Sequence, residues 1–183
     1  MKKILLAITL ALVAIVSFAG HSAEADSTAN LLSVAVLPTK DLAKVPVQVS
    51  LTNELPITCV QCYLATPDTV NIFLFESEDR KSAIYTASDR WEANHQAVIA
   101  WNTPHCPNTL MTMVVSTKSE DFKQNSGPII TVYFDASKLG DGDYAVRMTG
   151  GNAVWTDKKK VKVYNTPDAE APFSIKRGKL KVK

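Results

Sequence analysis

The chain is poor in the residues that most often carry chemistry. It has three cysteines and three histidines among 183 residues. His21, His95 and His105 are scattered, and no HExxH pair, Gly-x-Ser-x-Gly elbow or phosphate-binding glycine loop is present. The local signatures of metalloproteases, serine hydrolases and nucleotide-binding enzymes are therefore missing. An excess of charge is missing too. The chain carries 20 basic and 18 acidic residues, and loss of Lys2 and Lys3 leaves 18 against 18. A neutral body excludes nucleic acid as an expected partner. Beyond residue 18 no apolar run is long enough to span a bilayer, and no segment keeps a long 3.6-residue period.

The apolar run that is present lies at the start. Lys2 and Lys3 precede Ile4 to Phe18, and small residues follow up to Ala19 and Ala25. This order of charge, apolar stretch and small residues is that of a secretory signal peptide over residues 1–25, cleaved after Ala19 or Ala25. The run is short for the ~20 residues of a membrane span. The expected product is extracytoplasmic (periplasmic, surface-held or secreted), is not stably inserted in a membrane, and forms one domain over residues 26–183.

Alternation of apolar and polar residues dominates that domain. Val45, Val47, Val49 and Leu51 share one side of a strand, and Val60, Cys62 and Leu64 share one side of another. Val70 to Phe75 is apolar on both sides, as a central strand would be. Leu31–Leu37, Ala93–Trp101, Leu110–Ser116, Ile129–Phe134, Tyr144–Met148 and Phe173–Val182 bring the expected number to about nine. Ser77 to Ser88 reads as a long loop with a short strand. Gly127-Pro128, the Gly140-Asp141-Gly142-Asp143 run and Gly150-Gly151-Asn152 supply turns. Many short strands without helices predict an all-β fold, a two-sheet β-sandwich.

The cysteines set the chemistry. Cys59 and Cys62 are three apart, which on a strand sends their side chains to opposite faces, about 10 Å between Cα atoms at ~3.3 Å per residue. They cannot bridge each other, because a disulfide needs less than about 7 Å. A thioredoxin-like pair would sit at a helix start, and nothing after Cys62 is helical. Zinc ligation by Cys59, Cys62, His105 and Cys106 lacks a spacer in its second half. A Cys59–Cys106 disulfide is the expectation for an exported chain, with Cys62 a buried free thiol. Asp141 and Asp143 are weak calcium candidates, because a bare DxD lacks the further oxygens that calcium takes. Otherwise no cofactor is expected. Trp155, following a glycine turn, and Trp91 are candidates for stacking on a sugar ring. The basic residues from Lys158 onward read either as a patch for an anionic glycan or lipid or, because they alternate with apolar residues, as guards of exposed edge strands.

The ordered set Val45-Pro46-Val47-Gln48-Val49-Ser50-Leu51-Thr52-Asn53, then Val60-Gln61-Cys62-Tyr63-Leu64 with Pro67-Asp68, then Ser116, Phe122, Ser126-Gly127 and Gly142-Asp143-Tyr144, resembles the cohesin-like domains of the cellulose-binding β-sandwich superfamily. The resemblance covers about residues 31–183. It implies a nine-stranded, jelly-roll-like sandwich without catalytic residues. It further implies an exported, non-catalytic binding module, with either a dockerin-like protein or a polysaccharide as partner during glycan use. A directly carbohydrate-binding module using Trp155 is the alternative. A periplasmic thiol or hydrolytic enzyme is the third class. The cysteines and the absence of a row of surface aromatics depart from the family pattern, and no dockerin-contact residue is carried over.

Overall fold

The computed structural model describes residues 30–66, 72–76, 82–104, 106–157 and 160–183. Residues 1–29, 67–71, 77–81, 105 and 158–159 lie outside them, and with them the leader, Pro67-Asp68 and His105.

Eleven strands appear among the described residues, arranged as a two-sheet β-sandwich. They are β1 (Asn30–Val36), β2 (Val45–Asn53), β3 (Cys59–Ala65), β4 (Tyr85–Ala87), β5 (His95–Thr103), β6 (Cys106–Ser116), β7 (Ser126–Phe134), β8 (Gly142–Asp157), β9 (Lys160–Thr166), β10 (Ala169–Lys176) and β11 (Lys179–Val182). The small sheet runs β1-β2-β7-β4, and the large one β11-β10-β8-β3-β6-β5, with β9 also paired to β8. Every pairing is antiparallel. Two short 3-10 turns, Leu42–Lys44 and Ala136–Lys138, are capped by Asp41 and Asp135, whose carboxylates accept from Ala43 N and Ser137 N.

The core lies between the sheets and follows the period of two. Val45, Val47, Val49 and Leu51 of β2 face Leu64, Leu110, Met148, Phe173 and Ile175 of the large sheet, all buried. β1 lies against β8 and β10. Burying one such aliphatic side chain contributes roughly 1.5–3 kcal/mol.

Three expectations need correction. The segment read as a central strand at Val70–Phe75 makes only isolated bridges where it is described, Phe73 to Phe134 and Phe75 to Ala83. Gly150-Gly151 does not end a strand. It forms an irregularity inside the 16-residue β8, where the register with β3 shifts between Gln61 and Tyr63. Gly150 has φ +58° there, a conformation that suits glycine. Phe173–Val182 is two strands, split at Arg177-Gly178.

Candidate functional site

The register assigns each strand of the large sheet an inner and an outer side. On β3 the core takes Val60, Cys62 and Leu64, so Cys59, Gln61, Tyr63 and Ala65 point outward. Their cross-strand partners share that side: Val115, Met113 and Met111 on β6, Val154, Asn152 and Thr149 on β8. Pairing carries the outer side on to Val98 and Ala100 on β5 and to Val161, Val163 and Asn165 on β9.

This outer face has an apolar centre of its own. Cys59, Met113 and Val154 form a second hydrophobic cluster, buried to 3 %, 1 % and 3 % exposure, and half-buried Val98, Val115 and Val163 pack against it. Val161 is exposed at the margin. The polar groups of β3 are uncharged, with Gln61 Nε2 donating to Tyr63 OH at 3.0 Å. Among the described residues, the one charged side chain on this side where β5, β6, β3, β8 and β9 pair with one another is Arg147, level with Ala65 at one end and paired with Glu170. Five strands ~4.8 Å apart and about seven residues at ~3.3 Å make a platform roughly 24 Å by 23 Å. Its centre is already withdrawn from solvent, so the apolar surface it offers lies at the margin, at exposed Val161 and half-buried Val98, Val115 and Val163.

The outer side of the small sheet is the opposite in character. Ser33, Gln48, Ser50, Thr52, Thr86, Thr131 and Tyr133 occupy it, partly or fully exposed. Thr52 and Ser126 hydroxyls lie 3.3 Å apart, and Thr86 and Tyr133 hydroxyls 2.7 Å apart. This is the ordinary solvated side of an antiparallel sheet; the large sheet departs from that rule.

The residues singled out from sequence fall apart in space. The Cys59–Cys106 disulfide is overturned. Cys59 is a free, buried thiol level with Val115 of β6. The nine residues from Cys106 to Val115 span roughly 30 Å at ~3.3 Å per residue, far beyond the ~7 Å a bridge allows. Cys106 instead pairs with Thr103 at the β5–β6 turn. Cys62 is free and buried in the main core, on the other side of β3 from Cys59. Burial pushes both thiols up to about 12, which leaves no thiolate for redox work.

Trp155 is not an exposed platform. It is half-buried on the inner side of β8 and packs on the main core, as do Trp91 and Trp101. Trp91 donates its Nε1–H to Ile129 O at 2.6 Å and stacks on Tyr85, with ring centroids 6.2 Å apart. Its polar handle is thus spent on the fold, on β7 of the small sheet, whereas Trp155 belongs to the large one. Both calcium candidates have other partners. Asp141 accepts from Arg177 N at 2.9 Å, and Asp143 pairs with Lys183 Nζ at 2.7 Å. No group of three His, Cys, Asp or Glu that could hold a metal occurs among the described residues.

A polar network that the sequence did not announce joins β2, β7 and the loop before β7. Arg90 is 2 % exposed and donates to Lys123 O (2.7 Å), Leu51 O (2.6 Å), Gly127 O (2.9 Å), Gln124 O (2.6 Å) and Asn53 Oδ1 (2.7 Å). Its guanidinium also lies 6.0 Å from the Phe122 ring. On that ring His95 stacks at 4.3 Å. His95 Nδ1 accepts from Glu92 N at 2.9 Å, and Nε2 is buried without a partner. Burial lowers the His95 pKa, with Glu92, Glu120 and Asp121 opposing. Nothing in the tripeptide Asp89-Arg90-Trp91 distinguishes this arginine from a surface one.

No family profile matches the sequence, and no curated protein matches it. The fold does have solved counterparts. The cohesin–dockerin complex Coh-OlpC-Doc435 from Clostridium thermocellum contains a chain 11% identical, with a TM-score of 0.54, covering 83% of this chain and 97% of that one. The seventh ScaB type I cohesin from Pseudobacteroides cellulosolvens is 11% identical, with a TM-score of 0.52 over 78% and 90%. A non-cellulosomal cohesin from Archaeoglobus fulgidus is 13% identical, with a TM-score of 0.50 over 78% and 89%. The likeness is one of fold: the chain is a cohesin-like β-sandwich.

Proposed function

We propose that this chain is an exported, non-catalytic module that binds a protein partner through the outer face of β5, β6, β3, β8 and β9. The observation that carries this reading is the apolar outer face of the large sheet; where these strands pair, the one charged side chain on it among the described residues is Arg147, at the Ala65 end. A solvated sheet face normally presents polar residues, and a flat apolar patch rimmed by polar groups marks an interaction surface. Solved cohesins of the same fold, crystallised with dockerins, support a dockerin-like protein as the kind of partner. The tryptophans that would stack on a polysaccharide are half-buried against the core, which favours the protein partner. The leader over residues 1–25 supports export and is tested by N-terminal sequencing of the mature protein.

The binding test is a quantitative pull-down from the secreted proteome of the source. The bait is wild type, a rim variant (V98D with V163D) or a variant on the polar face (Gln48→Asp). The reading expects a protein retained by wild type and by Gln48→Asp and lost from the rim variant, with unchanged circular dichroism throughout. Retention by the rim variant would exclude this face.

A further inference from the structure

The outer side of the large sheet changes character at its β11 edge. Lys176 on β10 and Lys179, Lys181 and Lys183 around β11 all stand on that side, and all are exposed. Lys176 lies directly opposite Lys179, and Lys181 opposite Ser174. Like charges directly opposite destabilise a ladder, so the hairpin's own stability gives no reason for this pair. Edge protection accounts for lysines on β11 but not for Lys176 on the strand behind it. Neutralisation is incomplete as well. Lys183 pairs with Asp143, and Arg147 with Glu170 at 3.0 Å. Lys176, Lys179 and Lys181 have no ion-pair partner among the described residues, although Asp143 lies near enough to Lys176 to feel its charge. Exposed Arg177 adds a fourth cation at the turn, beside the Asp141 carboxylate that accepts from its backbone N.

We propose that the β10–β11 hairpin is a docking surface for an anionic phospholipid bilayer. The chemistry of the face selects this partner. Lys176, Lys179 and Lys181 are hydrated point charges on flexible stems, presented from a flat two-stranded ladder. A sugar polymer would need stacking rings and amides, and the outer side of this hairpin has neither. A discrete phosphate would need donors converging on one point, and these diverge along a strand. A plane of diffuse negative charge needs only what is there, and each lysine near such a surface strengthens binding about fivefold. The geometry also sets this edge apart from the apolar platform. Three strand steps separate β11 from β3, and a twist of ~20–25° per step turns the lysine-bearing edge about 60–75° from the platform.

The test is co-sedimentation of the full chain with vesicles of phosphatidylcholine alone or mixed with phosphatidylglycerol, at low and at physiological salt. Every arm carries the same N-terminal segment, so differences report the lysines. Wild type is expected to bind the mixed vesicles more tightly than the neutral ones, and to lose that difference as salt rises. Replacement of Lys176, Lys179 and Lys181 by Gln should lower partitioning roughly a hundredfold, with the melting temperature unchanged. K40Q with K118Q should have little effect, and the rim variant V98D/V163D should still bind vesicles. Equal binding to both vesicle types, or an unaffected triple variant, would overturn the proposal. So would capture by soluble dextran sulfate through these lysines without binding to anionic vesicles.

Discussion

Arg90 shows how much one side chain can hold. All five of its N–H donors end on neutral oxygens, four backbone carbonyls and the Asn53 amide. Among the described residues no carboxylate pairs with it, and burial lowers its pKa. The hydrogen bonds, each charge-assisted, compensate desolvation. Arg90→Met should therefore leave those oxygens without a donor and lower stability by about 3–5 kcal/mol in urea unfolding. Arg90→Lys should recover little, because an ammonium has three donors and no fork; a near-wild-type midpoint for either would refute the role. His95 makes stability depend on pH. Its Nδ1 accepts from Glu92 N, so the neutral ring holds its proton on the buried, unpartnered Nε2. In the unfolded chain it takes a second proton near pH 6.5; in the folded chain, where burial lowers the pKa, it does so only at lower pH. The unfolded state then binds more protons below ~6.5, and stability should fall as pH drops from there toward the folded pKa. Asp121, raised by burial, acts with the opposite sign and in the carboxylate range. Urea midpoints between pH 8 and 5 should decline in wild type and stay flatter in His95→Gln.

At the scale of elements, β3 and β8 carry most of the new information. The alternation of β2 was plain in the sequence, because its outer positions are Pro46, Gln48, Ser50 and Thr52. β3 was half legible. The three-residue spacing correctly sent Cys59 and Cys62 to opposite sides, but nothing local showed that both sides are dry. That depends on Met113 and Val154, which only the register brings beside Cys59. The platform was invisible for the same reason. β9 went unread because Lys160 and Lys162 mask its period, and Gly150-Gly151 imitates a turn. Gly151 in fact marks a close approach: a Cβ there would meet Thr166 Oγ1 at 2.1 Å. Gly151→Ala should destabilise by roughly 1–3 kcal/mol. Thr166→Ala, which removes a buried hydroxyl without a partner, should be mild alone and should rescue most of the loss in the double variant. Additive effects would contradict the clash. Both β3 thiols should resist a disulfide reagent until global unfolding, since burial holds them near 12; rapid labelling of Cys59 or Cys62 in native buffer would contradict their placement.

For the molecule as a whole, no covalent tie at Cys59 supports the sandwich, so its stability rests on burial and hydrogen bonding. Reductant should leave the melting temperature of the monomer unchanged; a marked drop would restore a disulfide. The fold class was readable because turn chemistry and period-two patterning recur throughout. The topology was not, because strands distant in sequence become neighbours. β2 finds β7, and β3 lies between β6 and β8. That placement governs how the chain comes together when it emerges from its N-terminal end. β3 is produced early, yet both of its long flanks belong to later chain: some fifty residues pass before β6 is complete, and nearly ninety before Val154 arrives. Until then an apolar ribbon with two open hydrogen-bonding margins is present, the kind of segment that associates with the wrong chain. Assembly from such non-local pairings belongs to the millisecond-to-second class. A helper that keeps the nascent protein extended until its last third is delivered would therefore raise the yield of correctly assembled molecules more than any increase in the final stability.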